Sequence, residues 1–372
     1  MLYLSLIIIQ AILFEAHFLI YTSVKDIFDF AGGSLFVLKM IFGILSISFI
    51  VASALAHIFY NKFIKVIYTA AAIWFGFLVY FLLAAAAYWA VVLLGGKEIS
   101  GAESGFAGAL FFAAAAAVGI YGLFNANKIR TKEIVVEIAN LPAIWVKRKA
   151  VMISDIHLGQ IRGKKFSKKV ATIIKNINPD VVFFVGDVFD GVKTDTDECL
   201  SPLSEIKAPL GNFFVIGNHE EFHGDSAEKY AQAMERAGFR VLKNEKIPVE
   251  GVEIIGLSDG DTIKKPAYKE MIGKIVGERK IAPRILLKHT PIFTDVAEKA
   301  GIDLELSGHT HGGQIFPFNI ITPLIFKDRN YGLSRFEKMI TYTSSGVGTW
   351  GPPMRIGTDP EIVVISFLNK RE

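Results

Sequence analysis

The chain has 372 residues, 52% of them hydrophobic and 20% charged, with a net charge of +4 and a single cysteine. That composition excludes a disordered chain and a disulfide scaffold, and the length allows two or three domains. Residues 1–124 hold five lysines, five acids and no arginine, so the net positive charge falls wholly on the remainder. The two parts are composed for different solvents.

Four apolar runs come first, at about 2–21, 35–60, 66–94 and 105–124. At ~1.5 Å per residue, ~20 helical residues cover the ~30 Å hydrocarbon core of a bilayer, and each run is that long. Buried core helices are the alternative, but four runs with almost no polar face leave nothing for water to solvate. A four-helix transmembrane domain over 1–124 is therefore expected. The first run lacks a basic start and a cleavage site and precedes three more spans, so it reads as a span and not a removable signal.

With four spans both termini share one side of the membrane, together with the connection at 61–65. That side carries Lys62, Lys65, Lys128, Arg130 and Lys132, against Lys25, Lys39 and Lys97 opposite. The positive-inside bias places the soluble part in the cytoplasm of a multi-pass cell-membrane protein. Cys199, alone, suits a reducing compartment. Glu15, His17 and His57 in the spans read either as a proton relay or headgroup site, or, with more weight, as polar side chains satisfied between helices. Gly105 and Gly108 read as close helix packing.

Residues 125–149 form a basic connection with a strand expected at Glu133–Ile138. From 150 to 372 short β-rich runs alternate with polar helical stretches, the pattern of an α/β domain with one core. The chemistry lies at the carboxyl end of each run. Ala150–Ser154 leads into Asp155-Ile156-His157, Val181–Val185 into Gly186-Asp187-Val188-Phe189-Asp190, and Phe213–Ile216 into Gly217-Asn218-His219-Glu220. Arg284–Leu287 leads to His289, and Asp303–Leu306 to Gly308-His309-Thr310-His311. Ligands of α/β sheets gather outside the carboxyl ends of strands, so these distant residues are expected to converge.

Five of the eight histidines occupy these ends, while His17 and His57 lie in spans and His223 lies just past one motif. Imidazole, carboxylate and amide oxygen without thiolate suit Mn, Fe or Zn. Seven candidate ligands exceed the needs of one tetrahedral ion and match two divalent metals ~3.5–4 Å apart that share a carboxylate. Such a pair lowers the pKa of a trapped water and clamps phosphate oxygens, which points to phosphoester hydrolysis.

The order Asp-X-His, Gly-Asp-X-X-Asp, Gly-Asn-His-Glu, His, Gly-His-X-His resembles the calcineurin-like metallophosphoesterases over about 140–370. The resemblance implies an α/β domain built as a two-sheet β-sandwich flanked by helices, with the metals at the sheet edges. It implies Asp155, His157 and His311 on one metal, Asn218, His289 and His309 on the other, and Asp187 bridging. His219 would protonate the leaving oxygen or stabilise the transition state, with Asp190 and Glu220 as supports. The extension Gly308-His309-Thr310-His311-Gly312-Gly313-Gln314 is similar to a branch with membrane-associated members, including a UDP-diacylglucosamine pyrophosphohydrolase. A lipid-linked phosphate is thus one candidate substrate, and membrane lipids are expected partners. The expected function is a membrane-bound dinuclear metal-dependent phosphohydrolase. The alternative is a catalytically inactive membrane signalling or scaffold protein on the same fold. A transporter or channel has little support, because the spans hold few ionisable groups.

Ile315–Phe326 is strongly apolar and reads equally as a membrane-dipping lip or as a buried strand and loop. Gly346–Gly351 matches Gly-X-Gly-X-X-Gly, yet Pro352-Pro353 come directly after it, so a turn is expected and not a dinucleotide site. Arg355 reads as a phosphate contact or a surface salt bridge. Lys164, Lys165, Lys168 and Lys169 stud one predicted helix, meeting either anionic headgroups or water. Without aromatic interleaving, nucleic acid is not an expected partner.

Overall fold

A computed structural model describes residues 2–95, 101–221, 226–262, 264–278 and 281–370, so His223 lies outside the described residues. The chain divides into two compact units, Met1–Asn125 with Gly351–Ile356, and Ala126–Trp350 with Gly357–Glu372.

The first unit contains α1 (Leu2–Ile27), α2 (Gly32–Ile58), α3 (Lys62–Gly95) and α4 (Gly101–Asn125). All four are long and apolar enough to cross a membrane. Their packing is the reverse of a water-soluble bundle. Small residues such as Ala52, Ala56, Ala72 and Ala85 are buried, while large ones such as Ile12, Phe36, Phe63 and Phe106 face outward. Lipid solvates large apolar side chains, and small residues let helix backbones approach. At Gly108 a Cβ would lie 2.6 Å from Ile27 and 2.7 Å from Tyr88, so this approach of α4 tolerates no side chain.

His17 is buried and satisfied: Nδ1 lies 2.7 Å from the Leu13 carbonyl, and Nε2 accepts from Trp74 Nε1 at 2.9 Å. A neutral ring with the proton on Nδ1 uses both nitrogens, which is the structural reading of this residue. Glu15 and His57 are exposed. Residues 351–356 pack within the same unit. Arg355 donates its backbone N–H to Gly122 O at 3.0 Å, and its carbonyl accepts from Asn125 Nδ2 at 3.2 Å. Its side chain is fully buried, which removes the surface salt-bridge reading.

The second unit is a sandwich of two six-stranded sheets. In chain order the strands are β1 (Arg130–Ile138), β2 (Lys149–Ile153), β3 (Val181–Val185), β4 (Asn212–Val215), β5 (Arg240–Val241), β6 (Glu245–Val249), β7 (Val252–Leu257), β8 (Arg284–Lys288), β9 (Leu304–Ser307), β10 (Gly332–Arg335), β11 (Ile340–Thr343) and β12 (Glu361–Asn369). One sheet has the order β1-β12-β2-β3-β4-β5, with β2 to β5 parallel; the other has β10-β11-β9-β8-β7-β6, with β7, β8, β9 and β11 parallel.

The unbroken apolar run of β3 reflects burial on both faces. Val181, Phe183 and Val185 point into the core between the sheets with Ile254, Leu287 and Leu306. Val182 and Phe184 point the other way, against Val170 and Ile174 of the Lys164–Ile177 helix and Met234 of the Ser226–Arg236 helix. Lys164, Lys165, Lys168 and Lys169 lie on the exposed face of that first helix. A third cluster, Ile255, Leu257, Tyr268, Ile272 and Leu286, seals the outer face of the second sheet. Truncating a fully buried side chain such as Phe183 to alanine costs ~3–5 kcal/mol. Parallel strands aim their carboxyl ends at one edge of the sandwich, where the polar motifs lie.

Candidate metal centre

Asp155 and His157 come after β2, Asp187 after β3, Asn218 and His219 after β4, His289 after β8, and His309 and His311 after β9. The turns that carry them are tight. Asp155, His157, Asp187, His309 and His311 all take positive φ, between 50° and 72°, a region that costs non-glycine residues energy and clusters at functional sites. Neighbouring turns hold one another: the Asp155 amide donates to Gly186 O and the His157 amide to Asp187 O, both at 3.1 Å. Glu220, fully buried, ties the β3 and β4 turns together. Its carboxylate accepts from the amides of Gly217 (2.8 Å), Asp187 (3.0 Å) and Phe189 (2.9 Å). Burial and the charge of Asp187 nevertheless push its pKa up to about 8. At Gly217 a Cβ would stand 2.3 Å from Asp187 Oδ1, so the motif glycine is a condition of the close approach.

All seven predicted ligands and His219 are brought together. Asp155, His157 and His311 form one group whose donor atoms lie within 4.8 Å of one another; Asp187, His289 and His309 form a second, and His157, Asp187 and His219 a third. Asn218 joins the second group through Oδ1, 2.8 Å from His309 Nδ1. His157 Nε2 and His311 Nε2 are 3.0 Å apart, and His311 Nε2 is 3.4 Å from Asp155 Oδ1.

The donor set fits bound cations. His289 Nδ1 lies 2.8 Å from the Val185 carbonyl, which fixes the proton there in a neutral ring. Nε2 then turns its lone pair on Asp187 Oδ2 at 3.0 Å and Asp155 Oδ1 at 3.8 Å. Lone pairs at that separation repel unless a cation lies among them. In the ring without a metal ion, a proton on Nε2 serves as that cation. Burial disfavours charge at both residues, yet their mutual attraction outweighs it, holding Asp187 below the usual carboxylate range and His289 well above the usual imidazole range. Asp155 is instead pushed up by burial, and His309 is pushed down to about 4 by burial and the neighbouring His289. The donor atoms thus compete for protons, as they would for the divalent ions that such a cluster is suited to share.

Supports sit one layer out. Asp190 Oδ1 is 3.3 Å from His157 Nδ1, and Asp190 O is 3.2 Å from His219 Nδ1. Asp259 Oδ1 accepts from the Thr290 amide at 3.0 Å and so braces the turn after His289.

The sequence reading missed Trp350, whose ring centroid is 5.9 Å from that of His219 in an edge-on arrangement and which is 57% exposed. Its backbone is clamped by Gln314, which accepts from the Trp350 amide and donates to its carbonyl, both at 2.8 Å. The Gly346–Gly351 segment is no dinucleotide turn. It walls the site, with Gly348 donating to Asp155 O at 2.8 Å. The signal was available: this segment comes after β11, one more strand end beside the five already singled out.

A family model for calcineurin-like phosphoesterases matches residues 148–313. An uncharacterized metallophosphoesterase of Aquifex aeolicus is 31% identical over 258 residues, 68% of this chain and 97% of that protein. The chain belongs to the calcineurin-like metallophosphoesterase family. It is a phosphoester hydrolase by fold and by metal-binding residues. An uncharacterized metallophosphoesterase of Campylobacter jejuni is 33% identical over 255 residues, covering 68% of this chain and 67% of that protein. A transmembrane protein with metallophosphoesterase domain from Danio rerio is 30% identical over 264 residues, 67% of this chain but 60% of the relative. With four helices of membrane-spanning length, this metallophosphoesterase is likewise a membrane protein.

Proposed function

We propose that this metallophosphoesterase hydrolyses a lipid-linked phosphoester or pyrophosphate at the cytoplasmic face of the cell membrane, using two divalent ions drawn from Mn, Fe and Zn. Residues 1–124 would anchor it, 125–149 supply the connection and the first strand, and 150–372 carry the chemistry. The carrying observation is the convergence of His289 Nε2 on Asp187 and Asp155 carboxylate oxygens, with His157, His311, His309 and Asn218 closing the same cluster. Asp155, His157 and His311 would hold one ion, Asn218, His289 and His309 the other, and Asp187 both. When bound, such a pair supplies a nucleophilic water at neutral pH and neutralises charge on the phosphoryl group.

The chain's own residues do the rest. His219 is held through Nδ1–H by the Asp190 carbonyl, so it would give an Nε2 proton to the departing oxygen from the doubly protonated ring and be left neutral with its proton on Nδ1. Glu220 fixes the Asp187 and Asn218 turns relative to each other. A lipid-linked substrate is supported by the four apolar helices joined to the catalytic unit, and the cytoplasmic side by Lys62, Lys65, Lys128, Arg130 and Lys132. Hydrolysis of a panel of lipid-linked phosphates and soluble nucleotides by the full chain, with Mn supplied, tests the reading. Turnover of a lipid-linked member is expected. Bound metal with no turnover of any member would mean a scaffold on a phosphoesterase fold.

A further inference from the structure

The segment after the last metal-ligating histidine is a helix, Phe318–Phe326, and none of its residues is buried. The buried-strand reading of this segment is thereby overturned: every strand of the adjacent sheet is accounted for without it. Its polarity is inverted. Phe318, Ile320, Ile321, Leu324 and Ile325 face outward, Leu324 at 78% and Ile325 at 65% exposure. The two polar residues, Asn319 and Thr322, are half-buried, with Asn319 Oδ1 and Thr322 Oγ1 shut away from solvent. A helix lying on a water-soluble surface has the opposite arrangement. It also belongs to the mouth of the centre, since the Phe326 ring lies edge-on to His309 with centroids 5.9 Å apart.

We propose that Phe318–Phe326 is an interfacial membrane helix that seats the mouth of the metal centre in the boundary between headgroups and acyl chains. Three observations favour lipid over a protein partner as the occupant. The same chain carries four helices of membrane-spanning length, and only residues 126–129 separate α4 from β1. Five Cα steps span at most ~18 Å, so the start of β1 is tethered within that reach of the end of α4. The segment after the helix carries three exposed cations, Lys327, Arg335 and Lys338, against two exposed acids, Asp328 and Glu337, and Tyr331 is 47% exposed. Cations and amphipathic aromatics of this kind meet anionic headgroups where the apolar face meets acyl chains. The outward face itself offers no charged group to a protein rim. The use of this helix rests on the lipid-linked reading above: a phosphate on a membrane lipid lies at headgroup depth, where the helix would hold the centre.

The test uses the full chain in phosphatidylcholine–phosphatidylglycerol vesicles, with the environment-sensitive fluorophore NBD on Ile325→Cys or on Glu250→Cys. Glu250 is exposed in the β6–β7 turn, at the end of the strands away from the ligands, and native Cys199 is buried. The label at 325 is expected to emit to the blue and to be quenched by lipid carrying a doxyl group near the headgroup, and the label at 250 to do neither. Equal behaviour at both positions, or a shielded but unquenched label at 325, which would mean a second protein copy on this face, overturns the proposal. A Leu324→Glu, Ile325→Glu double variant is expected to lose about tenfold or more in turnover of dioleoyl phosphatidic acid in vesicles. Its turnover of bis(p-nitrophenyl) phosphate is expected to match the parent. Equal loss on both substrates also counts against the helix. Failure of the parent to hydrolyse either substrate strikes the hydrolase reading alone, since the label depth is read without turnover.

Discussion

The two ends of β8 bury charge in opposite ways. At its amino end Arg284 is fully buried and matched. Nε donates to Glu253 Oε2 at 2.8 Å, and the remaining nitrogens donate to the carbonyls of Val276, Glu278 and Ala300. Lys246 Nζ, 3.0 Å from Glu253 Oε1, completes the set. At the carboxyl end His289 is as deeply buried, but its Nε2 meets the oxygens of Asp187 and Asp155, and the turns around it run through strained positive φ. At one end side chains and carbonyls match the charge; at the other, donor atoms converge in a geometry that the proposed ions would complete. Within one strand, the first arrangement serves stability and the second serves chemistry.

The sharpest way to break this contrast is Asp187→Asn, which takes a charge from both proposed ion positions. Turnover is expected to fall by ~10³-fold or more, with loss of bound metal by elemental analysis and little change in thermal midpoint. Glu253→Ala should do the reverse. Leaving Arg284 buried without its carboxylate is expected to cost ~3 kcal/mol in unfolding experiments, with activity per folded molecule unchanged. His219→Gln is expected to keep its metal while kcat falls by ~10²-fold, and the deficit should widen as the leaving group becomes more basic. Full activity of this variant toward poor leaving groups would remove His219 from proton transfer.

The smallest effect is a pH dependence at the matched end. Burial alone would raise the Glu253 carboxyl, but hydrogen bonds from Arg284 and Lys246 outweigh it and hold the pKa below the usual range. A folded-state pKa below the unfolded one adds stability that is fully present above the unfolded value, ~4.3, and is lost as pH falls through the folded value. The stability gap between the parent and Glu253→Gln should therefore be constant from neutral pH down to about 5 and narrow below about 4. A gap that widens on acidification would reverse the sign assigned to this pair.

The strand-end cluster was legible because its signal is local. A short apolar run ending directly in Asp, Asn or His can be read without knowing which strand pairs with which. The same rule extends to β11, but its trailing segment reads only as a turn ahead of Pro352-Pro353, and so Trp350 goes unseen. The Arg284–Glu253 pair was illegible for another reason: Glu253 reaches Arg284 only through the parallel pairing of β7 with β8, which no local pattern reveals. Phe318–Phe326 was ambiguous because a run apolar on nearly every residue has neither a period of two nor one of 3.6. The surface reading of Arg355 fails because its segment packs on residues far away in sequence, its backbone bonding to Gly122 and Asn125.

The central claim is that the carboxyl ends of these strands are completed by a pair of ions. The most direct measurement is the metal content of the purified full chain after Mn loading, read with its electron paramagnetic resonance spectrum. Two Mn per chain with an exchange-coupled signal, lost in Asp187→Asn, is the predicted result. A single uncoupled Mn, or no bound metal in the folded parent protein, would contradict it.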